Sequence, residues 1–203
     1  FPSFGNNPFQ MEYLFESLDD TSCLHDFKCG VAPMDCFIQD GLNLSITNHY
    51  CNAYLVRENA EESMVMAVFA LSFDSLDLDV DDKDEMMSGV SCTDIPKLTD
   101  NYREIFLNKS HYPALEIAYL AVSEECHFKG LGRIIVEAIA QKAQMQDLAG
   151  CQFLTVEALN AVGNNAVGFY EKCGFSSCEY PNPNKGTLRM FRTLYPISVE
   201  DKI

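Results

Sequence analysis

A glycine-containing loop between an apolar segment and a helix is the feature of this sequence that most clearly predicts chemistry. Residues 114–133 read ALEIAYLAVSEECHFKGLGR, so an apolar, strand-like segment runs into a loop that carries Gly130 and Gly132. Such a loop presents unpaired backbone N–H groups and the positive end of a helix dipole to an anion. Lys129 and Arg133 add positive charge. The pattern predicts a phosphate-binding site, with an ordinary tight turn as the alternative.

The loop does not match either of the two common nucleotide motifs. A Walker P-loop requires G-x-x-x-x-G-K-[ST], and the sequence contains no such run. A dinucleotide fingerprint requires G-x-G-x-x-G, and Ile135 stands where the third glycine is needed. The loop alone therefore does not distinguish a phosphate site from an ordinary tight turn.

Two further segments give the loop its context, and together the three resemble the GNAT superfamily of acyl-CoA-dependent N-acyltransferases. HFKGLGR (127–133) is similar to the family's Q/R-x-x-G-x-G/A pyrophosphate loop, with His127 in place of Gln or Arg. FLTVEALN (153–160) resembles the strand at which the family's central sheet splays. AVGFYEKCGF (166–175) resembles the A-x-x-x-Y-x-x-x-G-F signature, although Gly163 stands where an Asn is usual. The resemblance implies an α/β GNAT fold, with a mixed, mostly antiparallel central sheet flanked by helices.

The resemblance implies that acetyl-CoA binds as co-substrate, largely through the main chain. The backbone of residues 120–122 would pair with the pantetheine arm like an added strand, and the loop N–H groups would hold the pyrophosphate. Lys129 and Arg133 would meet the adenosine phosphates. The implied cofactor-binding residues are Leu120, Ala121, Val122, His127, Phe128, Lys129, Gly130, Leu131, Gly132, Arg133 and Asn165. No metal is expected, because the four histidines form no Cys/His cluster.

Two residues match the family's acid and base. Tyr170 resembles the tyrosine that protonates the leaving thiolate, with a core aromatic on a short helix as the alternative. Glu116 matches the glutamate that serves as base in the histone-acetyltransferase branch. Apolar neighbours would raise its pKa toward neutrality, as a base requires. The alternative is a strand-end carboxylate that faces solvent or pairs with Arg or Lys.

Three functions fit these residues. The first is an N-acetyltransferase that moves acetyl from acetyl-CoA to a primary amine of a small molecule, a lysine or an N-terminus, by direct attack. The second is a GNAT toxin that acetylates aminoacyl-tRNA, because FKCGVAPMDCFIQD (27–40) resembles the toxins' F-x-C-G-x-x-x-L-D-x-F-L segment with Met34 at the Leu position. The third is a non-catalytic acyl-CoA-binding sensor. A homodimer is compatible with all three.

The charge distribution bears on the acceptor. The 203 residues carry 14 Lys+Arg and 30 Asp+Glu, a net charge of −16, which argues against a protein that grips nucleic acid over its whole surface. Residues 1–126 hold 23 acids and 6 bases, whereas residues 127–192 hold 5 acids and 7 bases. The acidic part is expected to bind a cationic acceptor. The alternative is that one face of the protein is basic enough to bind tRNA despite the net charge.

The rest of the chain reads as one domain over 1–203 with an acidic insertion around 74–112. Residues 74–94 carry eight acids and one lysine and are predicted to be a solvated loop. Helices are predicted at 35–47, 97–107, 132–146 and 166–173, and strands at 11–18, 51–57, 64–73, 114–123, 151–157, 175–180 and 187–193. Nine cysteines without a C-x-x-C pair and no apolar run of membrane length favour a cytoplasmic protein.

Overall fold

The computed structural model describes residues 13–58, 64–88, 100–177 and 183–194. Within these ranges the chain is mixed α/β, and a seven-stranded sheet is flanked by helices. The strands are β1 (Tyr13–Leu18), β2 (Asn52–Glu58), β3 (Val65–Asp77), β4 (His111–Val122), β5 (Phe153–Ala161), β6 (Asn164–Asn165) and β7 (Thr187–Thr193). The helices are α1 (Ala32–Asp40), α2 (Leu42–Thr47), α3 (Val80–Ser88), α4 (Asp100–Asn108), α5 (Leu131–Met145) and α6 (Val167–Lys172).

The order of strands in the sheet is β1-β2-β3-β4-β5-β6, and β7 also pairs with β5. Antiparallel pairs join β1 to β2, β2 to β3, β5 to β6 and β5 to β7, whereas β4 and β5 run parallel. The predicted mixed, mostly antiparallel GNAT sheet is confirmed. The parallel β4–β5 ladder contains three residue pairs and ends at Glu116–Thr155.

The chain divides into two compact units, so the single-domain interpretation stays a prediction. The first unit comprises Phe1–Ser72 and Ile117–Ala138, and the second comprises Phe73–Glu116 and Ile139–Ile203. Each unit contains its own apolar cluster. The cluster of the first unit is built on Leu24, Ile38 and Leu55, among others. That of the second includes Leu76, Leu78, Met86, Phe106, Tyr112, Phe153 and Phe191.

The prediction of a solvated loop at 74–94 is wrong over the part that the structure describes. Residues 74–77 complete β3, and residues 80–88 form α3, while residues 89–94 lie outside the described ranges. Leu76 and Leu78 alternate with acidic residues, so the apolar side chains enter the core while the carboxylates face outward. The prediction failed because it was based on the number of acidic residues and not on the alternation of apolar and acidic positions.

The single lysine of the acidic segment is a structural residue. Lys83 is buried, and its Nζ donates hydrogen bonds to the carbonyl oxygens of Leu107, at 3.2 Å, and Lys109. These carbonyls lie at the end of α4, where helical C=O groups lack intrahelical partners and favour a cation. Residues 74–88 and 100–112 therefore belong to the second unit, and the acidic insertion around 74–112 stays a prediction.

Two other predictions change in detail. The predicted helix at 35–47 is divided at Gly41 into α1 and α2. Of the strands predicted at 175–180 and 187–193, the second forms as β7 and pairs along its length with β5. In the described part of the first, Ser176 makes an isolated bridge to Phe191. Residues 178–180 of the predicted strand lie outside the described ranges.

Candidate active site

The loop before α5 has the backbone that an anion site requires. The N–H groups of residues 128–133 donate to no acceptor within the described part of the chain, whereas the Ile134 N–H already bonds to the Gly130 carbonyl. Gly130 has a φ of +78°, and a Cβ built there would have no neighbour within 4 Å, so the approach to the loop is open. The side chains of Lys129 and Arg133 are exposed. This donor set fits the pyrophosphate of acetyl-CoA.

His127 fixes the start of the loop. Its ring Nε2 lies 2.9 Å from the carbonyl oxygen of Val122, in donor position. The imidazole therefore joins the end of β4 to the loop, and it occupies one lone pair of a carbonyl that sequence analysis assigned to the pantetheine arm. Ala121 is buried, whereas Leu120 and Val122 are half-buried, so β4 is less enclosed than a strand covered on both faces.

Tyr170 lies on α6 and is buried, with 6% of its surface exposed. The rings of Phe169 and Phe175 pack edge-on against it, at centroid distances of 4.9 and 5.3 Å. Burial, with a smaller contribution from nearby Cys173, raises the pKa of the phenol well above its ordinary value. The hydroxyl has no hydrogen-bond partner within the described ranges, and it is not among the fully enclosed polar atoms that lack one. The phenol thus keeps its proton, and its hydroxyl donates to no other group in the described part of the chain.

Glu116 lies on β4 at the last pair of the parallel ladder, and its surroundings are ionic rather than apolar. Its Oε1 is 3.7 Å from Nη1 of Arg189, on β7. The same guanidinium lies 3.5 Å from Oε1 of Glu157 and also contacts the carboxylate of Asp74. Glu116 therefore has the arginine partner that the alternative interpretation described, within a cluster of three carboxylates around one cation.

Sequence reasoning missed Asp74, Glu157 and Arg189. Arg189 and Glu157 are direct cross-strand partners, and Glu116 is paired in register with Thr155, whose hydroxyl donates to Asp74. These residues come from four strands, so no local pattern predicts that they meet. The alternation of β5 and β7 offers the only signal, because it places Glu157 and Arg189 on a solvent-facing side of the sheet.

Asn165 takes a helix-capping role. Its Oδ1 accepts a hydrogen bond from the N–H of Val167 at 2.9 Å, at the start of α6. Its Nδ2 lies 3.3 Å from Oδ1 of Asn160, which is buried. The side chain thus helps to begin the helix that carries Tyr170, while a contact with acetyl-CoA stays a prediction.

A cavity of about 450 Å³ lies in the first unit, beside the 3₁₀ turn Glu124–Cys126 that precedes the loop. Arg57 is committed to Glu16, at 3.3 Å, and Ser123 is buried with no hydroxyl partner in the described ranges. The charged side chains that line the cavity are Asp26, Lys28, Arg57, Glu124 and Glu125. The lining is mixed in charge, with an excess of carboxylates.

The sequence profile of the acetyltransferase (GNAT) family matches residues 45–175, well over half of the chain. The chain belongs to the GNAT acetyltransferase family. It is accordingly an N-acetyltransferase with acetyl-CoA as co-substrate, as the resemblance implied. The described residues contain no group of three or more potential metal ligands.

Solved structures of other proteins share this fold. A tyrosine-to-phenylalanine mutant of KacT shares 16% identity at a TM-score of 0.65, over 91% of this chain and 96% of that one. AtaT complexed with acetyl-methionyl-tRNAfMet shares 21% identity at a TM-score of 0.63, over 89% of this chain and 94% of that one. AtaTR bound with acetyl-CoA shares 21% identity at a TM-score of 0.60, over 90% of this chain and 94% of that one. At these identities the likeness shows the fold. Comparison by sequence with curated proteins returned no match, and no helix in the described ranges has the length and apolarity to span a membrane.

Proposed function

We propose that the chain transfers the acetyl group of acetyl-CoA to a primary amine by direct attack, without a covalent enzyme intermediate. The observation that carries this proposal is the run of unpartnered N–H groups at 128–133, in a chain that belongs to the GNAT family. In the reaction, the amine nitrogen bonds to the thioester carbonyl carbon, the C–S bond breaks, and the CoA thiolate leaves. An ammonium nitrogen loses two protons on becoming an amide. The chain must therefore remove one proton before attack, and the second, lost from nitrogen as the tetrahedral intermediate collapses, balances the proton supplied to the thiolate.

The proposed proton donor is Tyr170. A phenol whose pKa is raised by burial is fully protonated at neutral pH, so a proton is available whenever a thiolate forms. Its hydroxyl makes no competing hydrogen bond in the described part of the chain. The aromatic neighbours Phe169 and Phe175 fix the ring without using the hydroxyl.

The proposed base is Glu116, acting directly or through one water molecule. Its carboxylate is half-buried and is held from one side by Arg189. The ion pair orients the carboxylate, and a carboxylate is the kind of group that accepts a proton from an ammonium.

We propose that the acceptor is cationic. Residues 1–126 hold 23 acids and 6 bases, and the carboxylates of Asp26, Glu124 and Glu125 outnumber the cations of the cavity in the first unit. A surface of this sign raises the local concentration of ammonium-bearing molecules and speeds their encounter.

The test is a CoA-release assay with acetyl-CoA and matched acceptors: polyamines, lysine peptides, peptides with a free N-terminus, and neutral amines. We expect turnover with cationic acceptors. Their kcat/KM should fall as salt is raised from 50 to 300 mM, because added salt shortens the Debye length and screens the attraction. Equal turnover of neutral amines without salt dependence would contradict the cationic acceptor. Tight binding of acetyl-CoA without any turnover would favour the sensor.

A second candidate acceptor is the α-amine of an aminoacyl-tRNA. Within the segment that resembles the GNAT toxins, the Cys29 N–H donates a hydrogen bond of 2.7 Å to the Asp35 carboxylate. AtaT, of similar fold, has been solved with acetyl-methionyl-tRNAfMet. Acetylation of charged tRNA in the same assay, but not of the corresponding free amino acid, would establish this acceptor.

A further inference from the structure

Phe128 combines two unfavourable features at one position. Its side chain is completely exposed, at 105% of its reference area, although burial of a phenylalanine is favourable. Its backbone has a φ of +61°, in the left-handed region that disfavours residues with a Cβ. Among the described residues, only His49 shares a positive φ without being glycine. Strain of this kind points to a functional role.

Phe128 lies in the loop itself, directly after an anchored histidine. His127, immediately before it, is anchored to the Val122 carbonyl, and its ring meets Phe128 edge-on at 6.0 Å. The N–H groups that follow are those proposed to bind the pyrophosphate. Exposed Phe73 differs, because it lies within β3 at a backbone that is regular for a strand. Of these two exposed phenylalanines, only Phe128 combines exposure with a left-handed backbone, and it does so within the loop.

Acetyl-CoA supplies a partner for this ring. One ribose links its adenine to the pyrophosphate, so the base must lie within a few ångströms of the group that the loop holds. A planar base stacks favourably on an aromatic side chain, and nucleotide-binding surfaces combine such rings with cations. Lys129 and Arg133 provide those cations for the phosphate on the same ribose.

We propose that the Phe128 side chain stacks on the adenine of acetyl-CoA and thereby selects the complete co-substrate over its adenine-free fragment. The inference rests on the proposed role of the loop, but it concerns the side chain rather than the main chain. It makes Phe128 a specificity-determining residue for the co-substrate.

The experiment compares binding of CoA and of 4′-phosphopantetheine, which lacks the adenosine, by calorimetry at fixed ionic strength. We expect Phe128→Leu to weaken CoA binding about 5- to 20-fold and to leave 4′-phosphopantetheine unchanged, because only stacking is lost. Phe128→Trp should bind CoA as wild type does, and Phe73→Leu is the matched control for loss of an exposed ring. Etheno-CoA, a fluorescent adenine analogue, should be quenched on wild type but not on Phe128→Leu.

The failures are distinguishable. If wild type binds no CoA, the proposed function fails together with the stacking. If wild type binds CoA and Phe128→Leu binds it equally well, the stacking alone is wrong. Equal weakening of both ligands would show that the ring supports loop conformation instead. Weaker binding of tRNA by Phe128→Leu at unchanged CoA affinity would assign the ring to nucleic acid and overturn the proposal.

Discussion

Nη1 of Arg189 lies 3.7 Å from Oε1 of Glu116, and this pair joins the proposed base to a network that spans four strands. The guanidinium also contacts Asp74 and Glu157, so one cation serves three carboxylates. It therefore both orients Glu116 and relieves repulsion among carboxylates that the sheet brings together. Arg189 therefore links the stability of the sheet to the proposed base.

Replacing Arg189 by Leu should lower the free energy of unfolding by about 2 kcal/mol, because half-buried carboxylates lose a charged hydrogen-bond donor. Urea denaturation at pH 7 measures the change. Arg189→Lys should recover only part of it, because one ammonium cannot reproduce the fork that reaches several carboxylates. In an Asp74→Asn background the loss should shrink, and a loss that stays the same would show that the two side chains do not interact energetically.

Tyr170→Phe should lower kcat about 100-fold and leave the KM for acetyl-CoA nearly unchanged, because only the proton donor is removed. Steady-state kinetics check this. Burial raises the pKa of Tyr170, so the wild-type acid stays protonated and should cause no alkaline loss of rate below about pH 10. Tyr112→Phe is the matched control: the buried Tyr112 hydroxyl donates to the Phe106 and Lys109 carbonyls, so this variant should lose stability but keep kcat. Wild-type rates in Tyr170→Phe would exclude the acid role.

His127→Ala should raise the KM for acetyl-CoA roughly 5-fold, because loss of the bond to the Val122 carbonyl loosens the loop. His127→Gln should recover affinity, since its amide can donate to the same oxygen. An effect on kcat with unchanged KM would instead place His127 in the chemical step.

The buried Cys29 thiol should make stability depend on alkaline pH. Burial, with the hydrogen bond and charge of Asp35, raises its pKa from the ordinary 9.0 to about 11. The unfolded chain loses this proton near pH 9 and the folded chain only near pH 11, so the stabilisation is complete below pH 9. It is lost as pH rises through the window, by roughly 2 to 3 kcal/mol. Denaturation curves between pH 8 and 11 should show this slope in wild type and in Cys23→Ala, whose exposed thiol is removed, but a weaker slope in Cys29→Ala.

Phe128→Gly should raise the free energy of unfolding by about 1 kcal/mol, because glycine adopts the left-handed backbone at little cost and the exposed ring contributes no burial. Thermal unfolding of the ligand-free protein measures this. Gly130→Ala, at a φ of +78° with open space around it, should show the opposite sign. A destabilised Phe128→Gly would mean that the ring packs in solution.

The sequence by itself determined the features that depend on neighbouring residues. An apolar segment, two glycines and an amphipathic helix in succession specify β4, the loop and α5, and therefore the free N–H groups at 128–133. The tyrosine and glycine–phenylalanine spacing at 166–175 likewise specified α6 and placed Tyr170 upon it. These elements follow from local periodicity and helix-end chemistry, which a sequence contains directly.

The tertiary structure decided what depends on strand pairing. Arg189 and Asp74 are 115 residues apart and meet only because their strands lie in one sheet, so the ionic surroundings of Glu116 could not be predicted from its apolar neighbours. The charge of the acidic segment predicted a solvated loop. In the structure Leu76 and Leu78 are buried in the apolar cluster of the second unit, and the acidic side chains that alternate with them face outward. Burial and register are set by all strands together, because each side chain's face is fixed only once its strand is paired.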